Sequence, residues 1–119
     1  MMIILMSPFV GAHEWTPTYP KMKPSFVSGV SVTTMQIFNK RREIGWYKIT
    51  VWDEDFTPVP HSISGGSLQK VSYLQRKSIN VYVRRKDLGR AVYVCSESKA
   101  ISYLDKGTFV SSRICSKLK

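Results

Sequence analysis

Histidine and cysteine are scarce in this chain, at two each, and acidic residues number 8 against 18 lysines and arginines. Structural zinc is held by close Cys and His pairs. No Cys-x-x-Cys or His-x-x-x-His occurs here, so a zinc site made of both cysteines with His13 and His61 has no support. No serine lies in a Gly-x-Ser-x-Gly setting, and no nucleophile is paired with a base, which removes the motif basis for acyl transfer. Helical periodicity, internal repeats and low-complexity tracts are also missing. The sequence reads as a non-enzymatic protein without a resident cofactor.

What is present bounds the rest. A length of 119 residues fits one domain with a single modest core. The formal charge of +10 favours acidic partners: an acidic protein, an anionic lipid or another anionic polymer. Residues 1–12, "MMIILMSPFVGA", carry no charge and end in Val-x-Ala, the pattern of a signal segment cut after Ala12. Its apolar run is too short to span a bilayer. The chain is therefore expected to be exported, periplasmic or extracellular, where nucleic acid is seldom met. Residues 13–28 hold Pro17, Pro20 and Pro24 and read as an extended arm rather than a regular element.

From residue 29 to 119 short apolar-alternating segments follow one another, split by turns and charge clusters. "GVSVTTMQIFN" is rich in β-branched residues. "WYKITVWD" sets Tyr47, Ile49 and Val51 opposite Trp46 and Trp52, and "SINVYVRR" sets Ile79, Val81 and Val83 on one side. "LQKVSYLQ", "RAVYVCSE" and "TFVSSRICS" complete the series. Segments of this kind without helices between them predict an all-β fold: a single antiparallel immunoglobulin-like sandwich of about seven strands. If the last two segments form a hairpin, Cys95 and Cys115 face each other. Two cysteines in an exported chain pair by default. Val92 and Val94 oppose Tyr93 and Cys95, while Val110 and Ile114 oppose Phe109, Arg113 and Cys115. The aliphatic set is the expected core face, which puts the disulfide on the more polar side.

Two resemblances bear on the reading. "TTMQIFNKRREIGWYKITVWDEDFTPVP" joined to "LQKVSYLQRKSINVYVRRKDLGRAVYVC" resembles the first domain of periplasmic pilus chaperones. It implies an immunoglobulin-like sandwich that engages a protein partner by strand addition. The Lys of the family's Arg–Lys pair has no counterpart here. "DLGRAVYVC" resembles the corner that leads into a sandwich strand of immunoglobulin domains, with a longer Asp–Tyr spacing. With its "AHEWTPTYPK" opening and "SRICSKLK" ending, the chain is also similar to small exported proteins of marine phages, a resemblance that implies no mechanism; a chaperone-like or virion-associated interaction module is the expectation.

The candidate sites are few. Arg41, Arg42, Arg84, Arg85 and Lys86 follow strand segments and are the chosen anionic-partner surface, expected to gather at one pole with Tyr47 and Tyr82 nearby. Trp15, Trp46 and Trp52 are available for a binding face or for the core. Asp53 and Asp55 in "WDEDF" read as a strand end entering a turn, with weak calcium binding as the alternative. If the chain is cut after Ala12, the new terminal amine and the imidazole of His13, with His61, form a nitrogen set suited to copper. The first expectation is an interaction module working by strand edge and basic surface. The alternative is a copper-binding or redox protein.

Overall fold

The computed structural model describes residues 13–42, 44–101 and 108–118, and for 100, 101 and 108–111 it describes the backbone alone. The signal-like segment 1–12 lies outside the described residues, as do the side chains of Phe109 and Val110. The strands are β1 (Glu14–Thr16), β2 (Lys23–Pro24), β3 (Val30–Phe38), β4 (Trp46–Trp52), β5 (Ser62–Ile63), β6 (Leu68–Lys70), β7 (Arg76–Arg84), β8 (Tyr93–Ile101) and β9 (Thr108–Lys117). A single helical turn, α1 (Arg85–Leu88), follows β7.

The strands make two antiparallel sheets that enclose one core. The first has the order β1–β3–β7–β5, with β2 sharing the β1 edge of β3; the second has the order β6–β4–β8–β9. With β1 and β2 taken as one interrupted edge strand, the first sheet follows the A-B-E-D order of the immunoglobulin sandwich, and the second adds β6 to the free side of its C-F-G order. Alternation dictates the core. Tyr47, Ile49 and Val51 of β4 and Ile79, Val81 and Val83 of β7 are all at most 1% exposed, as their parity predicts. Met35 and Ile37 of β3 join them. Burying each such aliphatic side chain contributes about 1.5–3 kcal/mol.

Two parts differ from the sequence reading. Within the extended arm of residues 13–28, two short stretches are strand. Glu14–Thr16 pairs with the end of β3, Lys23–Pro24 pairs with its start, and Trp15 enters the core and donates its indole N–H to the Val94 carbonyl at 3.0 Å. Prolines hid these strands because each is only two or three residues long. In "LQKVSYLQ" only the first three residues are strand. Val71 then turns into the core, and a tight turn closes with the Gln75 N–H on the Ser72 carbonyl.

The inner face of β8 is unusually polar. Val94 is buried as expected, but the next inward residues, Ser96 and Ser98, are fully buried too. Buried hydroxyls need partners. Ser98 Oγ bonds the carbonyl and hydroxyl of Ser112 across the hairpin, and Ser96 Oγ bonds His13 Nε2. His13 is 3% exposed, packs its ring 4.7 Å from that of Tyr47, and keeps Nδ1 without a partner.

Burial pushes the His13 imidazole down from 6.5 to about 4; the Ser96 contact opposes the shift and the Arg41 charge adds to it. The unfolded chain takes up this proton near pH 6.5, whereas the folded chain refuses it until about pH 4. Stability is therefore complete above pH 6.5 and falls as the pH drops toward 4, by about 2 kcal/mol at pH 5. Denaturant melts from pH 7 to 4.5 check this. A His13→Gln variant is expected to flatten that part of the profile, and an unchanged slope would show that other groups cause it.

Candidate functional site

The β8–β9 hairpin forms one edge of the second sheet. Cys95 and Cys115 are directly opposite in its ladder and bonded, with Cα atoms 4.0 Å apart. The bridge lies on the outer face, beside Tyr93 and Glu97 and away from Val94, as the parity of the sequence predicts. So narrow a spacing marks a non-hydrogen-bonded pair. The ladder bonds to β8 then fall to Ile114 and Ser116, and the N–H groups of Arg113, Cys115 and Lys117 point away from β8. The Lys117 N–H does so visibly, donating to the Thr18 carbonyl at 3.0 Å. Up to that tie no strand among the described residues pairs with the outer side of β9.

On the outer face beside this edge, charge and aromatic surface alternate. Glu97 is buried and held by Arg113 at 3.0 Å and Lys99 at 3.4 Å. The Arg113 guanidinium also lies 5.4 Å from the Trp52 ring centre. Phe56 stacks on Tyr93 at 4.7 Å, from a backbone with φ of 59°. A bulky residue in the left-handed region is strained. The turn that imposes it is closed by the Phe56 N–H on the Asp53 carbonyl and by Asp53 Oδ1, which accepts from the N–H groups of Asp55 and Thr57. Asp53 is thus a turn cap, in line with the strand-end reading. Trp46, 37% exposed, and Lys70, 5.9 Å from its ring, extend the same face. Trp46 and Trp52 share this face as predicted, and Trp15 is the tryptophan of the core.

The basic residues do not form one pole. β3 and β7 pair antiparallel over their whole length, with Val30 opposite Arg84 and Phe38 opposite Arg76. Arg41 and Arg42 follow the end of β3, while Arg84 ends β7 and Arg85 and Lys86 follow it. The two groups therefore lie at opposite ends of the sheet, about 26 Å apart at the usual strand rise. At the first pole Arg42 covers Tyr73 at 4.6 Å and Arg76 covers Phe38 at 4.5 Å. Lys40, 2.9 Å from Glu14, bonds its carboxylate and holds it below the usual range. At the second pole Arg84 and Arg90 close on Asp87 at 3.0 and 3.5 Å. Tyr47 is buried and offers no stacking surface to a partner, while Tyr82 is half-buried.

The two histidines are equally separate. His13 lies in the core beyond the end of β3, and His61 lies by its start, next to Ser62, which pairs with Tyr82. The His61 ring nitrogen Nδ1 is 2.8 Å from the Val59 carbonyl. The fold does not bring His13 and His61 to one copper site. Among the described residues no three His, Cys, Asp or Glu side chains cluster as metal ligands. No helix among them is long and apolar enough to cross a membrane.

No protein family matches the chain, and no curated protein does. Among solved structures it is similar to a FixG-related protein from Vibrio parahaemolyticus, at 12% identity and a TM-score of 0.44, covering 90% of this chain and 96% of that one. No family or sequence relative supports the resemblance to pilus chaperones or phage proteins.

Proposed function

We propose that this protein is an exported, non-enzymatic interaction module that takes up an extended segment of a protein partner along β9. The observation that carries the reading is the outer edge of β9 at Arg113 and Cys115, whose N–H groups point away from β8 and meet no other described strand. A long open edge is a template for another strand. Arg113 and Lys117 share its outer face with the disulfide, so acidic side chains at alternate positions of the partner strand would meet cations. The disulfide fits an oxidising compartment. The basic surface of this reading is the strip beside β9, not a pole uniting Arg41, Arg42, Arg84, Arg85 and Lys86.

Proline gives a specific test, because it is tolerated on an edge strand where the lost N–H faces outward. Arg113→Pro and Arg113→Ala both give up the Glu97 contact and should be destabilised alike, but only the proline variant is expected to abolish partner capture from the native secretome. Arg113→Lys, which keeps that N–H, should capture the same partner. The captured complex should weaken with salt, since exposed charges are screened. Equal capture by the proline variant would rule out docking along this edge.

A further inference from the structure

At the second pole the two sheets leave a groove of about 660 Å³ that the strand-edge reading does not use. Its apolar surface comes from three distant parts of the chain: Met22 before β2, Leu88 and Ala91 around α1, and Leu118 after β9. Ala91 is fully buried, and Met22, Leu88 and Leu118 are half-buried against the core. Exposed Lys21 and Arg85 stand at the same opening. Backbone hydrogen bonds fix these walls: Arg85 N–H to the Gly29 carbonyl at 2.7 Å, Ala91 N–H to Leu88 at 3.2 Å, and Leu118 N–H to Val92 at 2.7 Å. The groove is therefore formed in advance, within the size range of small-molecule sites.

The charges around it decide the class of occupant. Asp87 is already shared by Arg84 and Arg90. Among the described residues no carboxylate answers Lys21 or Arg85. An apolar slot with two unanswered cations at its mouth is complementary to a molecule with one apolar chain and one anionic end. We propose that this groove binds a free fatty acid, its chain against Met22, Leu88, Ala91 and Leu118 and its carboxylate between Lys21 and Arg85. A neutral chain would leave both cations unanswered, and a cationic head would be repelled by them.

Titration of the full chain with monomeric decanoate, followed by the methyl NMR signals of Met22, Leu88 and Leu118, tests this directly. Those methyls are expected to shift together, with affinity falling by up to about fourfold per CH₂ removed from the ligand. The double variant Lys21→Glu, Arg85→Glu changes only exposed side chains; it should melt like the parent and bind decanoate about tenfold more weakly. Three results would overturn the proposal: no shift at these methyls, an equal response to decyltrimethylammonium, or binding to anionic vesicles with none to monomeric decanoate. Loss of partner capture by Arg113→Pro bears on β9 alone, so the two readings fail separately.

Discussion

Replacing Asn39 by alanine is expected to destabilise the fold by about 4 kcal/mol, because one buried amide there serves four neighbours. Asn39 has no exposed surface. Its Nδ2 donates to the carbonyls of Ile44 and Val71 at 2.7 and 2.9 Å. Its Oδ1 accepts from the Arg41 N–H at 2.9 Å and from the Tyr47 hydroxyl. The backbone adds two more ties, to Gln75 and Leu74, so the β3–β4 and β6–β7 turns are locked together at this residue. Alanine takes the buried donor away from the Ile44 and Val71 carbonyls, and each buried group left unsatisfied costs about 1–3 kcal/mol. Tyr47→Phe removes one of these bonds and should cost about 1 kcal/mol alone. In the Asn39→Ala background it should cost less, since the shared bond is already gone. Urea melts of the four proteins measure the coupling, and additive losses would show that the network is not a unit. Asn39→Asp keeps the shape but turns an acceptor toward two carbonyls; if it were as stable as the parent, packing alone would explain the site.

Removing the disulfide is the second large effect. Cys95→Ser with Cys115→Ser opens a loop of 20 residues, and the chain-entropy model gives a loss of about 3 kcal/mol. The loss should appear as a lower melting temperature, by roughly 10–20 °C for a domain of this size. It should also reach the proposed docking edge. β9 is an edge strand, attached mainly to β8, and a register shift between Ser98 and Lys99 already interrupts that ladder. Reduced protein should therefore capture its partner more weakly at temperatures where the core is still folded. Unchanged melting on reduction would mean that the Thr18 contact and the serine bonds hold the hairpin without the bridge.

The parts of this structure that could be read from sequence are those where one strand reports on itself. Tyr47, Ile49 and Val51, or Ile79, Val81 and Val83, alternate so regularly that the buried face follows from strand geometry alone. Cys95 and Cys115 could be paired because consecutive strands form hairpins, and their outward placement followed from the valine parity. The split of the basic residues was not legible, since it depends on β3 and β7 running antiparallel side by side. Once that pairing is known, Arg41 and Arg85 can only lie at opposite ends. Trp15 was hidden by its short strand among prolines, and nothing local marks His13 as a core residue. The Asn39 hub shows in sequence only as a polar residue ending an apolar strand. The groove at Lys21 and Arg85 gathers residues from both ends of the chain and has no linear signature.

Amide hydrogen exchange at Arg113 and Cys115, in the free protein and in the captured complex, tests the docking edge most directly. Both N–H groups should exchange rapidly in the free protein, while Ile114 and Ser116, bonded to β8, are protected. In the complex Arg113 and Cys115 should become protected as well, producing a continuous run along β9. Unchanged rapid exchange at these two amides in a complex that is otherwise intact would contradict strand addition at β9.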